Sequence, residues 1–278
     1  MNTTMRCHIC NSTKVIPLDT AFEVYACKAC HHEFSALPPE RQETYSPEYF
    51  REVHKRWFEQ PNTALFQKIN AAVEKVFPRK AAPFFFLDIG CGQGDLLRYM
   101  RNVGSAARLC GVDVIANADA GIRYYRGDFV TFPFSETFNA VSGLMVIEHI
   151  GTPHEFMRKI SSVLKPGGLV IMNTINAGGL LYLLARFFRS IGIRGPFERL
   201  YDKHHLEHYN TASLRKLFEL EGYRIREQRA HNFPLAAVDV PEGSRLLAAL
   251  YRMGIACIFF LTSRFGGVHQ TIICEKIR

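Results

Sequence analysis

At 278 residues the chain has room for two average domains, or for one large α/β domain carrying an appendage. Apolar residues at 47% and charged residues at 22% exclude a disordered or fibrous protein, and the longest nearly uncharged apolar stretches, Ala177–Ala185 and Met253–Ser263, fall short of the roughly 18–20 residues that cross a bilayer. A net charge of +8 favours anionic partners such as phosphorylated substrates, nucleic acid or a membrane surface, although scattered basic residues also describe an ordinary solvated exterior.

The first residues, Met1 to Cys7, lack the apolar core of a secretory signal, so the expected location is cytoplasmic. Cysteines there are not expected to form disulfides. Cys7-x-x-Cys10 and Cys27-x-x-Cys30, with 16 residues between the pairs, have the spacing of a four-cysteine zinc site. Each pair can aim two thiolates at one ion, and Zn²⁺ accepts four in a tetrahedron. Lys14–Leu18 and Ala21–Tyr25 read as short strands between them, which makes residues 1–35 a zinc ribbon. Redox CxxC motifs are the competing reading. His8, His31 and His32 adjoin the thiols, but four cysteines already close the shell, so the ion's role is folding a segment too short for its own core.

Residues 36–80 read as a linker and helical lid. Prolines at 38, 39, 47 and 61 interrupt it, and Tyr45–Phe50 is an aromatic-rich piece suited to folding over a site. Asn62–Phe77 carries apolar residues at the spacing of one helix face and stops at Pro78. The continuous apolar run Phe84–Ile89 then reads as a strand of a parallel sheet covered on both faces. It enters Gly90-Cys91-Gly92-Gln93-Gly94, where glycines permit positive φ and close approach of a ligand, ahead of a helix N-terminus that offers free amides to an anion.

Asp95 stands where a dinucleotide fingerprint needs glycine. The pattern Leu87-Asp88-Ile89-Gly90-Cys91-Gly92-Gln93-Gly94 instead resembles the first motif of class I S-adenosylmethionine-dependent methyltransferases. Further elements follow in that family's order. The strand Arg108–Asp113 ends in a carboxylate 19 residues after Gly94, placed to accept the ribose hydroxyls of an adenosyl group. A strand at Ile122–Arg126 leads to Asp128 and Phe129, which the resemblance assigns to the adenine amino group and ring. The strand Phe138–Ile147 runs into Glu148-His149, and a helix at Pro153–Leu164 precedes Lys165-Pro166-Gly167-Gly168 and a fifth strand, Leu169–Asn173.

The implied fold is α/β: a doubly wound, mostly parallel Rossmann-like sheet with helices on both faces, occupying residues 81–278, with insertions at 178–200 and 241–262, behind the zinc ribbon. Asp88, Gly90, Gly92, Gly94, Asp113, Asp128 and Phe129 are the expected S-adenosylmethionine residues. The segments His205–Thr211, Ser213–Phe218 and Glu221–Tyr223 look most like the bacterial small-molecule branch related to ubiquinone-biosynthesis methyltransferases. Metal-dependent relatives carry Glu-x-x-Glu-His after the fourth strand, whereas Met145 fills the first position here, which counts against a catalytic Mg²⁺. Asn139 stands where an Asp commonly follows Phe, at the strand's start.

The implied reaction is in-line displacement of the methyl group by an acceptor oxygen, nitrogen or carbon. A hydroxyl acceptor needs a base, for which His149 and His205 are the candidates, with His204 and His208 on the same loop as His205. Small-molecule, glycan or lipid-linked acceptors fit this branch. Gly178–Ile193 reads as a basic amphipathic helix suited to a peripheral membrane surface or lipid-like substrate, or else as a packed lid or a dimer interface. The alternative is an RNA methyltransferase docking nucleic acid through the ribbon. Against it, the ribbon carries few basic residues and no Asn/Asp-Pro-Pro-Tyr follows the fourth strand.

Overall fold

A computed structural model describes residues 5–36, 59–78, 83–238, 245–264 and 266–277. The aromatic piece Tyr45–Phe50 and the start of the 241–262 insertion lie outside the described residues. The chain divides into two compact units, each discontinuous in sequence: one of Thr63–Thr174, Leu214–Gln228 and Thr271–Arg278, the other of Met1–Asn62, Ile175–Ser213 and Arg229–Gln270.

The first unit is built on strands β4 (Phe84–Ile89), β5 (Ala107–Asp113), β6 (Ile122–Arg126), β7 (Phe138–Leu144), β8 (Leu164–Ile175), β10 (Tyr223–His231) and β11 (His269–Lys276). Their order in the sheet is β10-β11-β8-β7-β4-β5-β6. The chain therefore starts in the middle and winds outward both ways. The pairs β4–β5, β5–β6, β4–β7 and β7–β8 are parallel. Strand β4, paired on both sides, is a nearly continuous apolar run, as burial on both faces requires. Phe84 and Phe86 pack with Leu65, Ile69 and Val73 of helix α1 (Thr63–Val76) and with Leu96, Leu97 and Met100 of helix α2 (Asp95–Asn102). Helix α3 (Pro153–Val163) buries Phe156, Met157 and Ile160.

Two sequence expectations are corrected in this unit. The fourth strand stops at Leu144 rather than Ile147, and Ile147–His149 forms a single tight helical turn. Lys165–Gly168 is no separate loop but bulges from β8, since Phe138 pairs with Leu164 and Ala140 with Leu169. Asn139 is at work there, its Oδ1 accepting from the Phe85 amide at 3.0 Å and from Lys165 Nζ at 3.1 Å.

The second unit contains a four-stranded sheet in the order β1-β2-β3-β9: Val15–Asp19, Val24–Cys27, Glu33–Ser35 and Glu207–His208. Helices α4 (Leu180–Ser190), α5 (Gly195–Leu200) and α7 (Arg245–Thr262) accompany it. Phe34, Phe197, Tyr201 and Tyr209 are its largest fully buried side chains. Helix α6 (Thr211–Leu220) is capped reciprocally: Asn210 Oδ1 accepts the Ser213 amide at 2.8 Å, and Ser213 Oγ accepts the Asn210 amide at 3.1 Å.

The reading of α4 as a cationic face is also corrected. Arg186 donates to Glu33 at 3.0 and 3.1 Å, and Arg189 reaches Asp19 at 2.6 Å. Its apolar stripe faces outward instead, with Leu183, Phe187 and Ile191 each more than half exposed.

Phe86→Ala should lower stability by about 3–5 kcal/mol, because the ring is fully buried between strand and helices. Urea unfolding checks this, and a loss below 1 kcal/mol would contradict the packing.

Candidate cofactor turn and metal centre

The sheet register sets the cofactor turn. Ile89 lies beside Val112 of β5 and Gly143 of β7, so the segments leaving these strands share one edge. Gly90, Gly92 and Gly94 adopt φ of 61°, 52° and 83°. A Cβ at Gly90 would sit 2.5 Å from Val146 Cγ2, and one at Gly94 would sit 2.2 Å from Tyr124 Oη. Both the dihedrals and the space demand glycine. Asp113 closes the turn, with Oδ2 accepting the Gly92 amide at 2.8 Å and Oδ1 the Ile115 amide at 2.9 Å. Burial raises its pKa, and the amides partly oppose the shift. Asp128 is exposed and accepts from the Thr131 amide at 3.1 Å, while Phe129 is buried against Phe156 and Phe134.

Asp88 is buried beneath the turn and accepts from Ser142 Oγ at 2.5 Å. Burial pushes its pKa up to about 7, against the hydrogen bond from Ser142. Glu148 is fully buried, and Thr174 Oγ1 donates to its Oε2 at 2.8 Å. His149 is half-buried, its ring nitrogen within 4.8 Å of a Glu148 carboxylate oxygen. Met145, which replaces the first carboxylate of the metal-dependent pattern, holds a left-handed φ of 56°.

Three residues of the turn escaped sequence reasoning. Asn117 Nδ2 donates to the Gly92 carbonyl. Arg98 ties the turn down by reaching Asp95 at 2.5 Å, Asp119 at 3.2 Å and the Gln93 carbonyl. Asp119 in turn accepts from Tyr124 Oη at 3.1 Å. Only the Asp95–Arg98 spacing of neighbouring helix positions was visible beforehand.

In the second unit the four thiols of Cys7, Cys10, Cys27 and Cys30 lie within 4.8 Å of one another. Each pair forms the same turn. The Ile9 and Ala29 amides donate to Cys7 and Cys27 Sγ at 3.4 Å. The residues after each second cysteine, Asn11 and His31, both adopt φ of 57°. The thiol proximity holds Cys7 down at about 4, through the hydrogen bond from Cys30, while Cys30 is driven up. Four sulfurs this close form a donor set that fits tetrahedral zinc, and a cation bound among them would favour their thiolate forms.

His205 is half-buried, with Nδ1 at 3.6 Å from Asp202 Oδ2. The loop expected around it is instead partly a strand, Glu207–His208, paired with β3. His208 is fully buried beside Ser35, and burial lowers its pKa well below the usual histidine range.

A methyltransferase-domain family model matches residues 61–228, and the chain belongs to that family. It is similar to the ubiquinone biosynthesis O-methyltransferase of Chelativorans sp. (strain BNC1), at 33% identity over 159 residues, covering 51% of this chain and 60% of that protein. The chain spans 37%, 60% and 54% of the length of three such curated relatives. Among solved structures, Burkholderia thailandensis 1,6-didemethyltoxoflavin-N1-methyltransferase, with bound 1,6-didemethyltoxoflavin and S-adenosylhomocysteine, matches with a TM-score of 0.50 at 12% identity, covering 92% of this chain and 100% of that one. A chain from the complex of the Haloferax volcanii Trm112 methyltransferase activator and the putative methyltransferase matches with a TM-score of 0.52 at 14% identity, covering 82% and 98%. These two likenesses show the fold, a class I methyltransferase sheet.

Asp88 gives a pH prediction with a definite sign. Between roughly pH 4 and 7 the folded carboxyl keeps a proton that the unfolded chain has released, so stability falls as pH rises through that window. Asp88→Asn should flatten this part of the melting temperature against pH curve. An unaltered slope would remove Asp88 as its source.

Proposed function

We propose that the chain transfers a methyl group from S-adenosylmethionine to a small-molecule, glycan or lipid-linked acceptor. The observation that carries this reading is the turn at Gly90–Gly94, left-handed at its glycines and locked to Asp113 through the Gly92 amide. S-adenosylmethionine supplies a methyl group already activated on a sulfonium. Each Asp113 oxygen accepts one backbone amide and keeps acceptor capacity for a ribose hydroxyl. Asp128, fixed by Thr131, offers an oxygen to the adenine amino group, and Phe129 contributes apolar surface. Asp88 serves from below, holding Ser142 and the strand end rather than meeting solvent.

For a hydroxyl acceptor, His149 beside Glu148 and His205 beside Asp202 are the proposed bases; each carries a carboxylate able to orient the ring. The names of the ubiquinone-pathway and toxoflavin relatives support a small-molecule acceptor. The exposed stripe Leu183, Phe187 and Ile191 offers apolar surface suited to a lipid-linked one. No helix among the described residues is long and apolar enough to cross a membrane. Zn²⁺ on Cys7, Cys10, Cys27 and Cys30 is assigned a structural role, since four thiolates leave no open position.

Asp113→Ala should weaken S-adenosylmethionine binding roughly ten- to a hundredfold, the scale of lost charge-assisted hydrogen bonds. Calorimetry measures this, with circular dichroism unchanged; unaltered affinity would overturn the ribose assignment. With an extract-derived hydroxyl acceptor, His149→Ala or His205→Ala should slow turnover by roughly two to four decades at unchanged cofactor affinity. Full activity in both variants rejects the base assignments, and methylation of RNA alone rejects the small-molecule reading.

A further inference from the structure

The ribbon is stitched to the segment that carries His205 by one carboxylate. Glu207 is fully buried, and its two oxygens go to different cysteine turns. His8, inside Cys7–Cys10, places Nδ1 at 2.6 Å from Oε1. His32, two residues past Cys30, places Nε2 at 2.6 Å from Oε2. A metal held by the four thiols would join the same two turns. Metal and carboxylate are thus parallel staples across one pair of turns, and neither can part the turns without straining the other.

The stitching continues along the chain on both sides. The β3–β9 ladder pairs Glu33 with His208 and Phe34 with Glu207. The Ser35 amide donates to the Leu206 carbonyl at 2.8 Å, and Ser35 Oγ donates to the His205 carbonyl at 3.3 Å. Asn210 Nδ2 donates to the His31 carbonyl, and His32 Nδ1 lies 3.3 Å from Ser213 Oγ, the residue that caps α6. A short two-residue strand has little stability of its own. Its conformation is set by these partners, and a carboxylate with no solvent access cannot exchange them for water.

We propose that Glu207 is a positioning residue through which the metal-bound cysteine turns fix residues 202–210, and His205 with them. This rests on the reading of His205 as an acceptor-side residue. The ribbon is then part of the enzyme's positioning machinery rather than an attached module, and metal loss propagates to a segment some 175 residues away in sequence, the separation of His32 and Glu207.

The test is amide hydrogen exchange on the full chain, zinc-loaded and chelator-stripped, with zinc content measured in each. Stripping should deprotect residues 205–210 together with 7–35 by roughly tenfold or more, the equilibrium counterpart of a lost charge-assisted hydrogen bond. The strands β4 and β5 should be unaffected. Retained protection at 205–210 while 7–35 opens would overturn the proposal. Glu207→Gln should loosen 205–210 in the loaded protein and speed zinc release to a chromogenic chelator. If Glu207→Gln fails to fold, His8→Asn removes one arm and should act in the same direction. In either variant the imidazole resonance of His205, followed by NMR of labelled histidine, should shift while that of His154, paired with Glu221, stays. Unchanged zinc release and an unchanged His205 resonance would again overturn it. Full turnover by His205→Ala with the exchange coupling intact would instead remove the base reading and leave the coupling standing.

Discussion

A carboxylate taken out of water must find its partners inside the protein, and this constraint organises both units. In the sheet unit Asp88 is held by Ser142 beneath the glycine turn, and Glu148 is held by Thr174 of β8 beyond the end of β7. In the ribbon unit Glu33 is clamped by Arg186 and Tyr201, and Glu207 by His8 and His32. Each pairing joins elements that are distant in sequence. These buried polar pairings therefore tie together elements that the chain order keeps apart.

The cofactor turn depends on the same economy of space. Gly90 and Gly94 lie under Val146 and Tyr124, so the backbone approaches its neighbours more closely than any side chain would allow. Asp113 then stabilises the amides that the tight turn leaves without helix partners. Arg98, Asp119 and Asn117 hold the turn from the outside. A turn so restrained is organised before any ligand arrives, which keeps the entropic cost of binding low.

The sheet was legible because its signals are local. An apolar run, a glycine turn and a terminal carboxylate sit within a dozen residues at β4, and β5 and β6 repeat the strand-to-acid pattern. The four cysteines were legible for the same reason. The end of β7 was misread because Met145 to Ile147 are apolar enough for a strand, while the positive φ at Met145 breaks the ladder. The strands β10 and β11 were missed: β10 exposes most of its alternate residues and lacks a continuous apolar run. Glu207 could not be assigned at all, since nothing near it in sequence distinguishes it from a solvent-facing acid.

Charge shows most sharply where sequence reasoning stops. The arginines of α4 were counted toward an anionic partner, yet Arg186 and Arg189 are consumed by Glu33 and Asp19 of the ribbon sheet. Arg98, Arg224 and Arg226 are likewise engaged, with Asp95 and Asp119 in one case and Glu275 in the other two. A net charge sums groups already neutralised at short range with groups left to act at long range, and only the latter steer a ligand. Helix α4 turns its arginines to the ribbon and its leucine–phenylalanine–isoleucine stripe to the outside, so the segment's amphipathicity is inverted relative to a helix recruited by its cations. The face it leaves exposed is accordingly apolar, and the ionic contribution of those arginines goes to holding the ribbon sheet.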